Sequence, residues 1–132
     1  AKFLRNERRQ ECFLESGNMD DFSREGCLRI LNSLTRLSSA EPFLRPVDPA
    51  WPGCGNYYTI ITKPMDFQMV RERLNNGVYE NDIAFYEDVG LIFRNCRTFN
   101  RDPHDPILHM NSQMELSFQD LWLDYQKKKM SS

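Results

Sequence analysis

The sequence lacks several features that mark common classes of protein. It has only two histidines and four cysteines in 132 residues, and no two cysteines form a C-x-x-C pair. Because zinc sites need such ligands clustered at short spacing, we expect no metal and no other cofactor. No apolar run approaches the roughly 20 residues of a membrane span, so we expect no membrane partner. We interpret the cysteines as reduced thiols of an intracellular protein.

The sequence also lacks an excess of positive charge. Its 17 lysines and arginines are outnumbered by 19 aspartates and glutamates, which gives a formal net charge of −2. Proteins that bind nucleic acid regardless of its sequence are normally basic, so we expect no direct nucleic-acid partner. An acidic surface instead favours a basic peptide, such as a lysine-rich tail.

Four segments of the chain have the apolar spacing of helices that bury one face. They are residues 21–38, 66–75, 82–99 and 106–127. The expected N-cap residues are Asp20 or Asp21, Asp66, Asn81 or Asp82, and Asp105. Asn76-Gly77 is expected to stop the second helix through a left-handed residue. No segment has the clear pattern of a strand, so the predicted fold is all-α, a four-helix bundle.

Steps of three and four residues predict which side chains of these helices face the core. In the first helix the pattern selects Cys27, Ile30, Leu31, Leu34 and Leu37. In the second and third helices it selects Phe67, Val70, Leu74, Ile83, Tyr86, Val89, Phe93 and Cys96. In the last helix it selects Ile107, Met110, Met114, Leu121, Trp122 and Tyr125.

A long connection, residues 39–65, joins the first and second helices. It is rich in proline and glycine, yet it also carries many apolar and aromatic side chains. A solvated linker would not be so apolar, so we expect this connection to pack back on the bundle. Long loops of this kind inside a compact domain are uncommon and usually functional.

Two motifs stand out in the chain: residues 57–66 read YYTIITKPMD, and residues 95–100, at the end of the third predicted helix, read NCRTFN. Together they resemble the motifs of a bromodomain, the four-helix module that reads acetyl-lysine. The resemblance covers roughly residues 22–126. It implies a left-handed bundle with the long loop between the first and second helices. It divides the chain into an N-terminal arm, residues 1–20, and a bromodomain, residues 21–129.

The resemblance also implies a pocket for acetyl-lysine. In it, Asn100 holds the acetyl group, Tyr57 contacts the acetyl carbonyl through a water molecule, and two further side chains contact the acetyl methyl group. Those two are Phe43 and Val47. The remaining expected pocket residues are Cys96, Phe99, Trp51 and, as the gatekeeper, either Ile107 or Pro106, with Cys54 as a further candidate. Glu41 stands where the family commonly has tryptophan, so we expect the shelf beside the pocket to be open and acidic.

Three of these residues have a second interpretation that needs no ligand. Asn100 could be a helix C-cap, because asparagine tolerates the left-handed conformation. Tyr57 could be a core aromatic whose hydroxyl is satisfied by the backbone. Cys96 could be only a small core residue, as free buried cysteines often are.

The implied function is that of a non-catalytic reader. Its partner would be an acetylated histone tail or another acetylated protein, and its setting nuclear, chromatin-linked regulation of transcription. We expect the chain to be a monomeric domain of a larger protein. The alternative is a degenerate bromodomain that serves as a protein–protein scaffold without binding acetyl-lysine. No nucleophile–base pair, zinc-protease motif or phosphate loop is present, so we do not expect an enzyme.

Overall fold

The computed structural model describes residues 19–131, which form an all-α bundle. The four long helices are α1 (Asp21–Thr35), α2 (Phe67–Asn75), α3 (Asp82–Phe99) and α4 (Pro106–Ser131). No strand occurs in this part of the chain, and the all-α prediction is confirmed. None of the helices described is long and apolar enough to cross a bilayer. The expected arm, residues 1–20, lies outside the described residues except for its last two.

Each long helix begins at a polar residue that satisfies a free backbone N–H group. The side chains of Asp20, Asp66 and Asn81 each accept a hydrogen bond from the amide three residues on, at 2.8, 3.1 and 2.9 Å. The Asp105 carboxylate accepts one from the Ile107 amide at 3.0 Å. These starts could be predicted because a cap depends only on residues that are close in sequence.

The ends of the first two helices differ in how well they could be predicted. Gly77 has a φ of +69°, and the amides of Gly77 and Val78 bond to carbonyls at the end of α2, as in a Schellman motif. The expected stop at Asn76-Gly77 is therefore confirmed. In contrast, α1 ends three residues early, and a 3-10 helix, Ser38–Phe43, follows it. Leu37 lies between the two and is exposed, so its predicted burial is wrong.

The core lies between the four helices and contains most of the predicted side chains. The prediction is wrong at Ile83, which is exposed at the start of α3. In that helix Phe85, Val89, Ile92 and Cys96 are buried, a stripe with the same three- and four-residue steps that starts two residues later. Phe118 of α4, which the pattern does not select, is also buried.

A polar cluster ties the first turn of α3 to the last turns of α4. The buried Asp82 carboxylate accepts hydrogen bonds from the Tyr125 hydroxyl and the Lys129 ammonium, both at 2.7 Å. The Tyr125 ring stacks on Phe22 of α1, with 5.9 Å between ring centroids. Three helices are thus joined at this end of the bundle. Asn100 lies at the opposite end of α3, away from this cluster.

Candidate functional site

A cavity of about 200 Å³ lies where the long connection passes the end of α3 and the start of α4. Its lining brings together eight of the nine site residues predicted from the sequence, although they come from four separate parts of the chain. They are Phe43, Val47, Trp51, Tyr57, Cys96, Phe99, Asn100 and Ile107. The further candidate Cys54 also lines it.

Pro106 is the candidate that the structure does not bring to the cavity. It is the first residue of α4 and is exposed, whereas Ile107, half-buried, lines the cavity. Adjacent residues of an α-helix point about 100° apart, so only one of the two can face the opening. Of the two gatekeeper candidates, Ile107 is therefore the one that lines the cavity, and Pro106 does not.

Five further side chains line the cavity without having been selected from the sequence: Pro42, Arg45, Met65, Asp66 and Ile92. Ile92 lies one helical turn before Cys96, so the spacing of α3 contained the signal for it. Arg45 lies midway between Phe43 and Val47 in the loop. No local pattern distinguishes it from a solvated arginine.

Asn100 is the C-cap of α3, but its backbone is extended, with φ −100° and ψ 107°. Asn100 therefore caps the helix as the second interpretation expected, but it does not adopt the left-handed conformation on which that interpretation was based. The side-chain amide nitrogen donates a hydrogen bond to the Cys96 carbonyl at 3.0 Å, and it lies 3.7 Å from the Cys96 sulfur. An amide nitrogen carries two N–H groups, and a thiol is a weak acceptor. One N–H group thus lacks a strong acceptor at the cavity wall.

Tyr57 is buried beside Asn100 and forms an aromatic wall with Phe99. The centroids of the two rings lie 4.8 Å apart at an interplanar angle of 62°. Burial, and to a smaller extent the neighbouring Tyr58, raises the pKa of the Tyr57 hydroxyl to about 12. The hydroxyl is therefore neutral at physiological pH and can donate a hydrogen bond.

The floor of the cavity is shielded from water. Burial raises the pKa of the Cys96 thiol to about 11, although the hydrogen bond from Asn100 opposes the shift. Burial also raises the pKa of the Asp66 carboxyl, while its bonds from the amides of Met69 and Gln68 lower it. Both shifts have the same physical cause, because a charged group is costly where water is excluded. A charged ligand group would meet the same cost at the floor of the cavity.

The loop that carries Trp51 and Cys54 is a chain of consecutive turns. The amides of Trp51, Cys54 and Tyr57 each bond to the carbonyl three residues earlier, at 3.0, 3.0 and 3.1 Å. Gly53 has a φ of +77°, a value that favours glycine, so the Pro-Gly step suits this turn. The turns bring Trp51 to the cavity with 44% of its surface exposed. An aromatic ring in that position can contact both the ligand side chain and the residues next to it.

Two hydrogen bonds fix the long connection beside the cavity. The exposed Tyr58 hydroxyl donates to the Val47 carbonyl at 2.5 Å. The buried Asn95 amide donates to the Lys63 carbonyl at 2.7 Å, immediately before the Pro-Met-Asp turn. The first bond holds the backbone of the lining residue Val47, and the second holds the backbone two residues before the lining residue Met65. Tyr58 and Asn95 therefore position the walls without lining the cavity themselves.

The shelf beside the cavity differs from the acidic surface predicted for it. The Glu41 carboxylate pairs with the Arg45 guanidinium at 2.9 Å, and it is Arg45, not Glu41, that lines the cavity. The expectation of an acidic shelf is wrong, because Arg45, four residues further along the same segment, supplies the opposite charge.

Among residues 19–131, no group of three or more histidine, cysteine, aspartate or glutamate side chains is placed to hold a metal ion.

The family model that matches this chain and the relatives that resemble it agree on one family. A family model described as Bromodomain matches residues 27–111, more than half of the chain. Bromodomain adjacent to zinc finger domain protein 2B of Mus musculus is 42% identical over 99 residues, which are 74% of this chain and 4% of that protein. The SWR1 complex bromodomain subunit bdf1 of Schizosaccharomyces pombe is 35% identical over 99 residues, 73% of this chain and 17% of that protein.

A plant protein has a similar segment. Transcription factor GTE1 of Arabidopsis thaliana is 36% identical over 84 residues, which are 64% of this chain and 22% of that protein. The chain thus spans less than a quarter of the length of each of these three relatives.

Proposed function

This chain belongs to the bromodomain family, and on that premise we propose that its cavity binds the side chain of N-acetyl-lysine. The family is a reader module and is generally non-enzymatic. The proposal makes the domain a reader of acetylated proteins, in particular histone tails. Because the relatives carry names that refer to a transcription factor and to the SWR1 complex, we place this function in nuclear, chromatin-linked regulation.

The observation that carries the proposal is the Asn100 amide at the cavity wall. Its nitrogen makes one hydrogen bond to an oxygen, and its other close acceptor is a thiol sulfur. A ligand carbonyl oxygen is a stronger acceptor than a thiol and would take that second N–H group. The neutral Tyr57 hydroxyl, in the lining of the same cavity, can donate to the same carbonyl, directly or through water.

The charge of the ligand explains why acetylation would be required. An unmodified lysine carries an ammonium group, which is costly to place among Phe43, Ile92 and the other apolar walls of this cavity. Acetylation removes that charge and adds a carbonyl acceptor. The same cavity therefore accepts the acetylated side chain and rejects the unmodified one.

The test is a titration of matched histone-tail peptides, acetylated and unacetylated, followed by NMR or calorimetry. We expect dissociation constants on the order of tens to hundreds of micromolar for the best acetylated peptides, because a single side chain buries little surface. The unacetylated partners should not bind measurably. If a folded sample shows no dependence on acetylation at millimolar peptide, the domain is instead a scaffold without acetyl-lysine binding.

A second prediction concerns Tyr58, which positions the loop. Tyr58→Phe removes only the hydroxyl that bonds to the Val47 carbonyl. We expect the affinity for an acetylated peptide to fall about threefold to tenfold, the worth of one hydrogen bond. The melting temperature should change little because Tyr58 is 42% exposed. Calorimetry and a thermal melt measure the two quantities on the same sample.

Tyr86→Phe is the matched control for Tyr58→Phe. The Tyr86 hydroxyl accepts a long hydrogen bond, 3.5 Å, from Gln119, and its ring packs on Trp122, away from the cavity. This variant should bind as the wild type does. If both variants lose affinity equally, or if neither does, Tyr58 does not position the cavity wall.

A further inference from the structure

Arg45 gives the mouth of the cavity a positive charge. It is the one basic residue among the side chains that line the cavity in the described part of the chain. The one acidic residue of the lining, Asp66, is buried, and its carboxylate accepts hydrogen bonds from backbone amides of α2. A peptide entering the cavity therefore meets Arg45 first, at the level of the residues beside its acetyl-lysine.

Most of the hydrogen-bonding capacity of Arg45 is unused. Its guanidinium donates one bond to an oxygen of Glu41, four residues earlier, although an arginine has five N–H donors. The side chains of Arg45 and Glu41 are 61% and 67% exposed. An ion pair that is this exposed contributes little, because water and salt screen it. A ligand carboxylate or phosphate could therefore join Glu41 at the guanidinium or displace it.

From this geometry we infer that Arg45 selects an anionic side chain close to the acetyl-lysine of the ligand. The inference rests on the proposed function. The fork of a guanidinium matches the two oxygens of a carboxylate or phosphate, which it can bind through two parallel hydrogen bonds. Glu41 acts as an internal competitor that weakens this selection. The preferred ligand is then an acetylated peptide with a glutamate or a phosphoserine near the acetyl-lysine.

The test uses a neutral glycine–serine peptide with one central acetyl-lysine. Each of the three positions on either side is replaced in turn by glutamine, glutamate or phosphoserine, and binding is measured by NMR titration. We expect at least one position at which glutamate binds about two- to fivefold more tightly than glutamine, the size of an exposed ion pair. Phosphoserine, with nearly twice the charge, should exceed glutamate there and so distinguish the two sources of the anion.

Variants of Arg45 and Glu41, the two charged residues at the rim of the cavity, test which residue causes the preference. Arg45→Gln should abolish the preference for an acid: the ratio of its affinities for the glutamate and glutamine peptides should fall to about one, whatever its affinity for the neutral peptide. Glu41→Gln should raise the preference by a further two- to fivefold, because it removes the competitor. Raising the salt concentration from about 0.05 M to about 0.5 M should reduce the preference in the wild type.

The chain offers matched controls for both changes. Lys128 and Asp124 form another exposed pair four residues apart, at 3.1 Å, about 25–30 Å along α4 from Ile107. Lys128→Gln and Asp124→Asn alter the net charge as the rim variants do and should leave the preference unchanged.

Three outcomes would count against the inference. It is overturned if no position favours an acid, or if the preference survives in Arg45→Gln, or if the distant charge variants change it as strongly. In each of these cases the neutral acetylated peptide still binds, and the proposed function stands. Failure of every acetylated peptide to bind the wild type would instead refute the proposed function itself.

Discussion

Asn100→Ala should lower the affinity of the domain for an acetylated peptide about fivefold or more. The substitution removes the N–H group that we propose to bind the acetyl oxygen. A buried carbonyl oxygen left without its donor costs about 1–3 kcal/mol, which corresponds to roughly 5- to 150-fold in affinity. The loss should be measured by calorimetry with the best peptide of the acetylated panel.

Asn76→Ala is the control for the capping role of Asn100. Both asparagines are C-cap residues, of α2 and α3 respectively, and Asn76 is exposed away from the cavity lining. Asn76→Ala should keep wild-type affinity, and thermal melts should show both variants folded. Wild-type affinity in Asn100→Ala, or an equal loss in the two variants, would contradict the proposed role of the Asn100 amide.

The starts of the helices follow from the sequence because their causes are local. Asp66 and Asn81 cap their helices through bonds to amides only three residues away. The end of α1 could not be predicted in the same way. There the amides of Leu37 and Ala40 bond three residues back, and the chain tightens into a 3-10 helix instead of continuing the α-helix.

The composition of the cavity could be predicted only in part from patterns in the sequence. Periodicity places Cys96 on the inner face of α3, but it says nothing about which loop residues lie opposite. Asn100, Tyr57 and Val47 were selected through the family resemblance, which carries the non-local geometry that periodicity lacks. At Glu41, where this chain departs from the family, the prediction of an acidic shelf failed. The charge at the rim depends on Arg45, with which Glu41 forms an ion pair.

Gly26→Ala should lower the free energy of unfolding by about 2–4 kcal/mol, although alanine normally stabilises a helix by about 1 kcal/mol relative to glycine. Gly26 is a buried residue of α1, and the structure places the Tyr125 ring against it. A Cβ atom there would lie 2.5 Å from Cδ1 of that ring and closer still to Cε1. The ring would have to move, and urea denaturation followed by circular dichroism measures the cost.

The ring has little freedom to move because it is held on several sides. Its hydroxyl bonds to the Asp82 carboxylate at 2.7 Å, and its faces pack against Phe22 and Trp122. Burial alone would raise the pKa of the Asp82 carboxyl, but the bonds from Lys129 and Tyr125 hold it below its usual value. Displacing Tyr125 would therefore also weaken the support of a buried carboxylate, which costs more than the loss of a neutral hydrogen bond.

Gly90→Ala is the matched control, and it should have the opposite sign. Gly90 lies within α3, and a Cβ atom there would meet only the end of the Arg94 side chain, 3.3 Å away. That side chain is exposed and can move aside, so the gain in helix propensity should remain, up to about 1 kcal/mol. If Gly26→Ala stabilised the domain as Gly90→Ala does, Tyr125 would be free to shift. The polar cluster at Asp82 would then not fix α1, α3 and α4 against one another.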